Sequence, residues 1–231
     1  MGFKIKALLS AFALFSAATA NAGIITSQLF TGDADSGVSS ANTYTHAVDV
    51  NGTGATVNGV TFVPGGASGT DATHGGSWTF SIPSQNAFVN NTNNLTGSIN
   101  QIARDFLYSG SATTATETLT LSGLTPGQKY RAVFYNVGFG GPGGRIQNVT
   151  DDQGGALNGY DENGPGDKNG SLIIDDYTAT AASITITIAS QGNNISFHQY
   201  GFSNQVVPEP ASAGLLLIGA TGLLARRRRA R

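Results

Sequence analysis

Two stretches of this chain alternate so strictly that a β-strand is the one regular structure able to use them. In Ser183-Ile184-Thr185-Ile186-Thr187-Ile188 the isoleucines share one face, and in Glu117-Thr118-Leu119-Thr120-Leu121 the leucines do, with threonines on the other. The same period of two appears in His46-Ala47-Val48-Asp49-Val50 and in Ser77-Trp78-Thr79-Phe80-Ser81-Ile82, which stops at Pro83. Thr56 to Val63 has β-rich flanks around the turn pair Asn58-Gly59. Tyr130 to Val137 mixes both faces and suits a central strand, and Ile195 to Phe202 is expected to be the last one. No apolar pattern with a 3.6-residue period lasts three turns. Eight or more strands joined by turn-rich segments predict an all-β fold, a two-sheet β-sandwich of the jelly-roll kind.

The join Leu124-Thr125-Pro126-Gly127-Gln128-Lys129-Tyr130 is the most specific of these connections. A tyrosine just after such a crossover points to a tyrosine corner, its hydroxyl bonded back to upstream backbone, with an ordinary hairpin and a core tyrosine as the alternative; either role is structural.

Both ends of the chain have a different physics. Lys4 and Lys6 precede an apolar stretch, Ala7 to Ala18, that is too short to span a bilayer, and Ala20-Asn21-Ala22 has the small-x-small form of a leader cleavage site. Residues 1–22 are therefore expected to be a signal peptide removed by signal peptidase, with Gly23 first in the mature chain. At the other end, Val207-Pro208-Glu209-Pro210 is held extended by its two prolines. The apolar run Ala211 to Ala225 follows, spanning about 22 Å as a helix against the ~30 Å of a hydrocarbon core. Arg226, Arg227, Arg228 and Arg229 then fix the orientation by staying on the cytoplasmic side. The organisation expected is a leader (1–22), a β-sandwich domain (23–205) and a C-terminal segment (206–231) containing a short transmembrane helix.

Without its two ends the chain carries thirteen acids against five bases (Arg104, Lys129, Arg131, Arg145 and Lys168), a net −8. An acidic body offers no footprint for nucleic acid or anionic lipid. Cysteine is absent, which excludes a disulfide scaffold, a thiol nucleophile and a zinc–thiolate site.

The C-terminal arrangement closely resembles the PEP-CTERM sorting signal of Gram-negative bacteria, in which Val-Pro-Glu-Pro precedes a short hydrophobic helix and an arginine-rich end. That resemblance covers Val207 to Arg231. It implies processing by exosortase, a membrane cysteine transpeptidase-like enzyme, after a transient stay in the inner membrane. Delivery to the cell surface or the exopolysaccharide matrix would follow. A plain anchor has no need of Pro-Glu-Pro or of so short an apolar run. In the body, Thr43 to Asp49, Asn58 to Phe62, the Gly-Gly-x-Trp78 segment, Ala103 to Tyr108, the Leu124 turn and Phe197 to Phe202 resemble exported domains that carry this same tail. Those domains are similar to galactose-binding-like jelly rolls, malectin and carbohydrate-binding modules, which implies a biofilm or matrix setting and a glycan partner.

Candidate chemistry lies in an acidic, glycine-rich stretch. Asp151, Asp152, Asp161, Asn163 and Asp167 supply the hard oxygens that Ca2+ prefers. An EF-hand is excluded, because Pro165 replaces the fifth ligand and Leu172 stands where the bidentate Glu belongs. An irregular calcium site and a solvated loop both remain open. Phe139, Arg145 and Tyr160 are candidates for a shallow glycan-binding rim, with packing beneath their own loops as the alternative role. Of the three histidines only Asp71-x-x-His74 forms a local pair, and His46 and His198 are expected to be packing residues. No nucleophile elbow and no carboxylate pair for glycoside hydrolysis stands out. The sequence thus predicts a non-enzymatic exported surface protein with weak glycan binding. The alternatives are a purely structural matrix protein and a carbohydrate-active enzyme.

Overall fold

The structure is a computed structural model, and it describes residues 23–110, 115–192 and 196–208. The expected leader, Glu209 and Pro210 of the sorting motif, the apolar run and the four arginines lie outside these residues. Among the described residues no helix is long and apolar enough to cross a membrane.

Sixteen strands are described. The first eight are β1 (Ile24–Phe30), β2 (Thr43–Val50), β3 (Ala55–Val57), β4 (Val60–Gly65), β5 (Ser68–Thr70), β6 (Ser77–Ser81), β7 (Gln85–Phe88) and β8 (Phe106–Ser109). The rest are β9 (Thr116–Ser122), β10 (Lys129–Val137), β11 (Ile146–Asp151), β12 (Ala156–Asp161), β13 (Gly170–Thr178), β14 (Ser183–Ser190), β15 (His198–Gln199) and β16 (Gly201–Val206). A single α-helical turn, α1 (Ile99–Ile102), interrupts them.

Three open sheets result. Seven strands run in the order β1-β13-β10-β16-β2-β4-β3, six in the order β12-β11-β14-β9-β6-β5, and three as β15-β8-β7. Pairing is antiparallel throughout except between β2 and β4. The two cleanest alternating sequences are neighbours: Ile186 of β14 stands opposite Leu119 of β9 and Ile184 opposite Leu121. The arrangement is mostly β, unclosed, and consistent with a β-sandwich.

The centre of the seven-stranded sheet is buried on both faces, and β10 shows why its sequence lacks alternation. Tyr130, Ala132 and Phe134 point into a core shared with Leu119, Leu121, Ile184, Ile186 and Trp78 of the six-stranded sheet. Val133, Tyr135 and Val137 point the other way, into a second core closed by Phe62, Leu95, Ile99, Ile102 and Phe106. A strand with apolar neighbours above and below has no reason to alternate.

Local turn chemistry agrees with the sequence. Asn58 and Gly59 both have positive φ (46° and 81°), as the two-residue hairpin between β3 and β4 requires. The Thr125 N–H donates to the Tyr130 hydroxyl at 2.9 Å, so the tyrosine corner is present.

Two expectations are corrected. The last strand is not one continuous run to Phe202. The chain leaves the small sheet after Gln199 and enters the large one at Gly201, which packs so closely on Ile102 that a Cβ would come within 2.3 Å of its Cγ2. The acidic, glycine-rich stretch is not one loop either. Ile146–Asp151 and Ala156–Asp161 pair as a hairpin, with Val149 as its buried anchor.

Candidate surface cleft

The three-stranded sheet places an aromatic side chain at the surface. Phe88, last in β7, stands opposite Phe106, first in β8. Their rings stack at 5.1 Å and 12°. Phe106 is buried, and Phe88 remains 38% exposed. Phe139, half-buried in the loop after β10, meets both rings edge-on at 5.4 and 5.7 Å. Phe88 and Phe139 form the apolar walls of a cleft of about 440 Å³, with Asn90, Asn91, Thr92, Asp167 and Lys168 as its polar lining.

The acidic loop after β12 holds this wall in place. Asn163 Oδ1 accepts from the Phe139 N–H at 2.8 Å, Asp167 Oδ1 from Gly140 at 3.1 Å, and Asp161 Oδ2 from Gly143 at 2.6 Å. Backbone bonds from Gly138 to Asn169 and from Lys168 to Gly138 lock the two loops together. Gly138 approaches so closely that a Cβ would lie 2.3 Å from the Gly166 carbonyl oxygen. These carboxylates and this amide therefore act as acceptors for backbone donors that no strand satisfies.

Beneath the cleft lies a buried polar cluster. His198, 5.2 Å from the Phe139 ring and 4.1 Å from Phe106 between centroids, has Nδ1 2.8 Å from Glu162 Oε1. Its backbone N–H donates to Glu162 Oε2 at 3.2 Å. Burial pulls the His198 pKa below the ordinary imidazole value, against the neighbouring Glu162 charge. The Arg145 guanidinium is buried 5.9 Å from the Phe139 ring centre and donates to the Ser196 carbonyl. Glu117 accepts from Gln199 Nε2 at 2.9 Å and from the Ser109 N–H at 3.3 Å, and burial pushes its carboxyl up to about 8.

The sequence-derived candidates separate in space. Of the rim trio, Phe139 lines the cleft, Arg145 lies under it, and Tyr160 belongs to the inter-sheet core, its hydroxyl 2.7 Å from Ser171 Oγ. The five candidate calcium ligands do not converge. The β11–β12 hairpin puts Asp151 and Asp152 at its tip and Asp161 at its base, about 16 Å away at ~3.3 Å per residue. Asp151 Oδ1 accepts from Gln153 and Gly155, and Asp152 Oδ2 from Thr185. Among the described residues no three His, Cys, Asp or Glu side chains come together as a metal site.

Asp71 is a turn-closing acceptor for Thr73, His74 and Ala47 N–H groups, with His74 Nδ1 2.7 Å from its Oδ2. His46 is buried, its Nε2 2.9 Å from the Ser77 carbonyl. Val207 donates to the Lys129 carbonyl, and Pro208 is exposed. The cleft residues that sequence reasoning missed are Phe88, Asn90, Asn91, Thr92 and Lys168. A signal was there in the apolar pair Phe88-Val89 ahead of the polar run Asn90-Asn91-Thr92-Asn93-Asn94, which cannot be buried as a whole.

The geometry is that of a mostly β body with an aromatic cleft on its surface. No protein-family model matches this chain, and no curated protein matches it.

Proposed function

We propose that this chain is an exported, non-catalytic surface or matrix protein of a Gram-negative bacterium whose jelly-roll body binds glycan in the Phe88–Phe139 cleft. The observation that carries the binding reading is the exposed Phe88 ring, stacked flat on Phe106 and walled by Phe139. A pyranose presents an apolar C–H face and a polar edge. A fixed aromatic plane bordered by Asn90, Thr92 and Lys168 complements both. Affinity is weak, because the cleft is shallow and one ring supplies most of the contact. The sorting reading rests on the sequence of Val207 to Arg231, and one structural fact supports it. The last strand ends at Val206 and Pro208 is exposed, so the first proline of the motif lies at the surface of the body, where an enzyme can reach it.

Two measurements test these readings. Mass spectrometry of the surface-located protein is expected to show an N-terminus at Gly23 and a C-terminus near Pro210. A surface protein still ending in Arg231 would defeat the sorting reading. Screening the protein on a glycan array, with and without chelator, is expected to show millimolar to micromolar binding that chelation leaves unchanged. Absence of binding to every glycan would leave a purely structural matrix role, and release of a cleaved product would make it an enzyme.

A further inference from the structure

The N-terminal end of β1 meets a pair of shielded carboxyl groups, of which Asp151 Oδ1 closes the β11–β12 turn and the other three oxygens take no N–H donor. Asp175 of β13 pairs in register with Ile25, is wholly shielded from solvent, and has no partner on either oxygen except the neighbouring Asp151 carboxyl. Asp151, at the end of β11, has its Oδ2 in the same state. Gly23 sits against both. A Cβ on Gly23 would lie 2.2 Å from Asp151 Oδ2 and 3.3 Å from Asp175 Oδ1. With standard bond lengths, that puts the Gly23 nitrogen within about 5 Å of the Asp151 carboxylate. Gly155 approaches the same oxygen, 2.3 Å from its own would-be Cβ, so a side chain at either position would force the Asp151 carboxylate to move.

An unpaired carboxylate in such a place is costly, and a cation within about 4–6 Å offsets the cost. The surrounding groups supply none. Asp152 and Asp176 add negative charge, Arg131 is taken by Asp176 at 2.7 Å, and the Tyr177 hydroxyl donates to Asn204. In the unprocessed chain the Gly23 nitrogen is an uncharged amide. Cleavage after Ala22 turns it into an ammonium with three donors.

We propose that Asp151 and Asp175 form a receptor for the chain's own α-ammonium at Gly23, which is complete only after the leader has been removed. The inference rests on residues 1–22 being a cleaved leader. Its consequence is that the body gains stability on processing. The chain is less stably folded while it must still cross the membrane and locks after it has crossed.

The test uses the processed protein recovered from the cell envelope. N-terminal sequencing comes first: a start at any residue other than Gly23 would show that the leader reading itself has failed. With Gly23 first, selective acetylation of the α-amine is expected to lower the melting temperature at pH 7 by about 3 °C or more. In Asp175→Asn the difference between free and acetylated protein is expected to shrink or vanish. Equal melting temperatures for free and acetylated wild type overturn the proposal, whether or not the variant folds. A melting temperature lowered by chelator and insensitive to acetylation also overturns it, and would make the carboxyl pair a metal-cation site.

Discussion

Glu117 is the buried group whose replacement should have the plainest effect. It lies on β9 in phase with Leu119 and Leu121, is 1% exposed, and has its carboxyl pushed up to about 8 from 4.5, chiefly by burial. The folded chain therefore keeps a proton on Glu117 over the interval from pH 4.5 to 8, where the unfolded chain has released it. Because the folded pKa is the higher one, the stabilisation is complete below 4.5 and is lost as pH rises through 8. At 1.36 kcal/mol per pH unit, the loss across that window amounts to roughly 5 kcal/mol. In Glu117→Gln the new side-chain carbonyl would still accept from the Ser109 N–H, and Gln199 can turn its own amide to accept from the new NH2 group. Urea denaturation of wild type and Glu117→Gln between about pH 4 and 9 checks this. The variant is expected to be less stable by about 1 kcal/mol at about pH 4.5 and more stable by about 4 kcal/mol at about pH 8.5. Asp49, raised to about 7 by burial, contributes a slope that both proteins share. Stability profiles that run parallel across the whole range would refute the reasoning, because Glu117 would then titrate alike in both states.

Phe88→Ala should lower glycan affinity at least tenfold, about 1.4 kcal/mol, while costing about 1–2 kcal/mol of stability, since the ring is partly exposed; array binding and thermal melting read the two separately. Unchanged glycan binding would move the binding site elsewhere. Tyr130→Phe removes the acceptor of the Thr125 N–H and should cost about 1 kcal/mol in urea denaturation, with an unaltered midpoint counting against a stabilising tyrosine corner.

The sequence by itself determined the strand class, because a period of two buries one face of a strand and cannot bury one face of a helix. That rule located β9, β14, β6 and the Asn58-Gly59 hairpin, and the lost alternation of Tyr130–Val137 marked the strand with a core on both sides. The tyrosine corner was legible for a similar reason: its donor and acceptor are five residues apart. What the tertiary structure decided is long-range. Glycine-rich and acidic residues hide the β11–β12 hairpin and β13, since strand partners there are chosen by neighbouring sheets more than by local pattern. Asp161, Asn163 and Asp167 have the composition of a calcium loop, yet their acceptors are spent on the backbone of Phe139, Gly140 and Gly143, which lie 18 to 27 positions away. The cleft joins Phe88, Phe139 and Lys168 from three separate parts of the chain, and the carboxyl pair beside Gly23 joins β1, β11 and β13. Composition names such groups but leaves open which of them meet, because their meeting depends on how three open sheets stack around two cores.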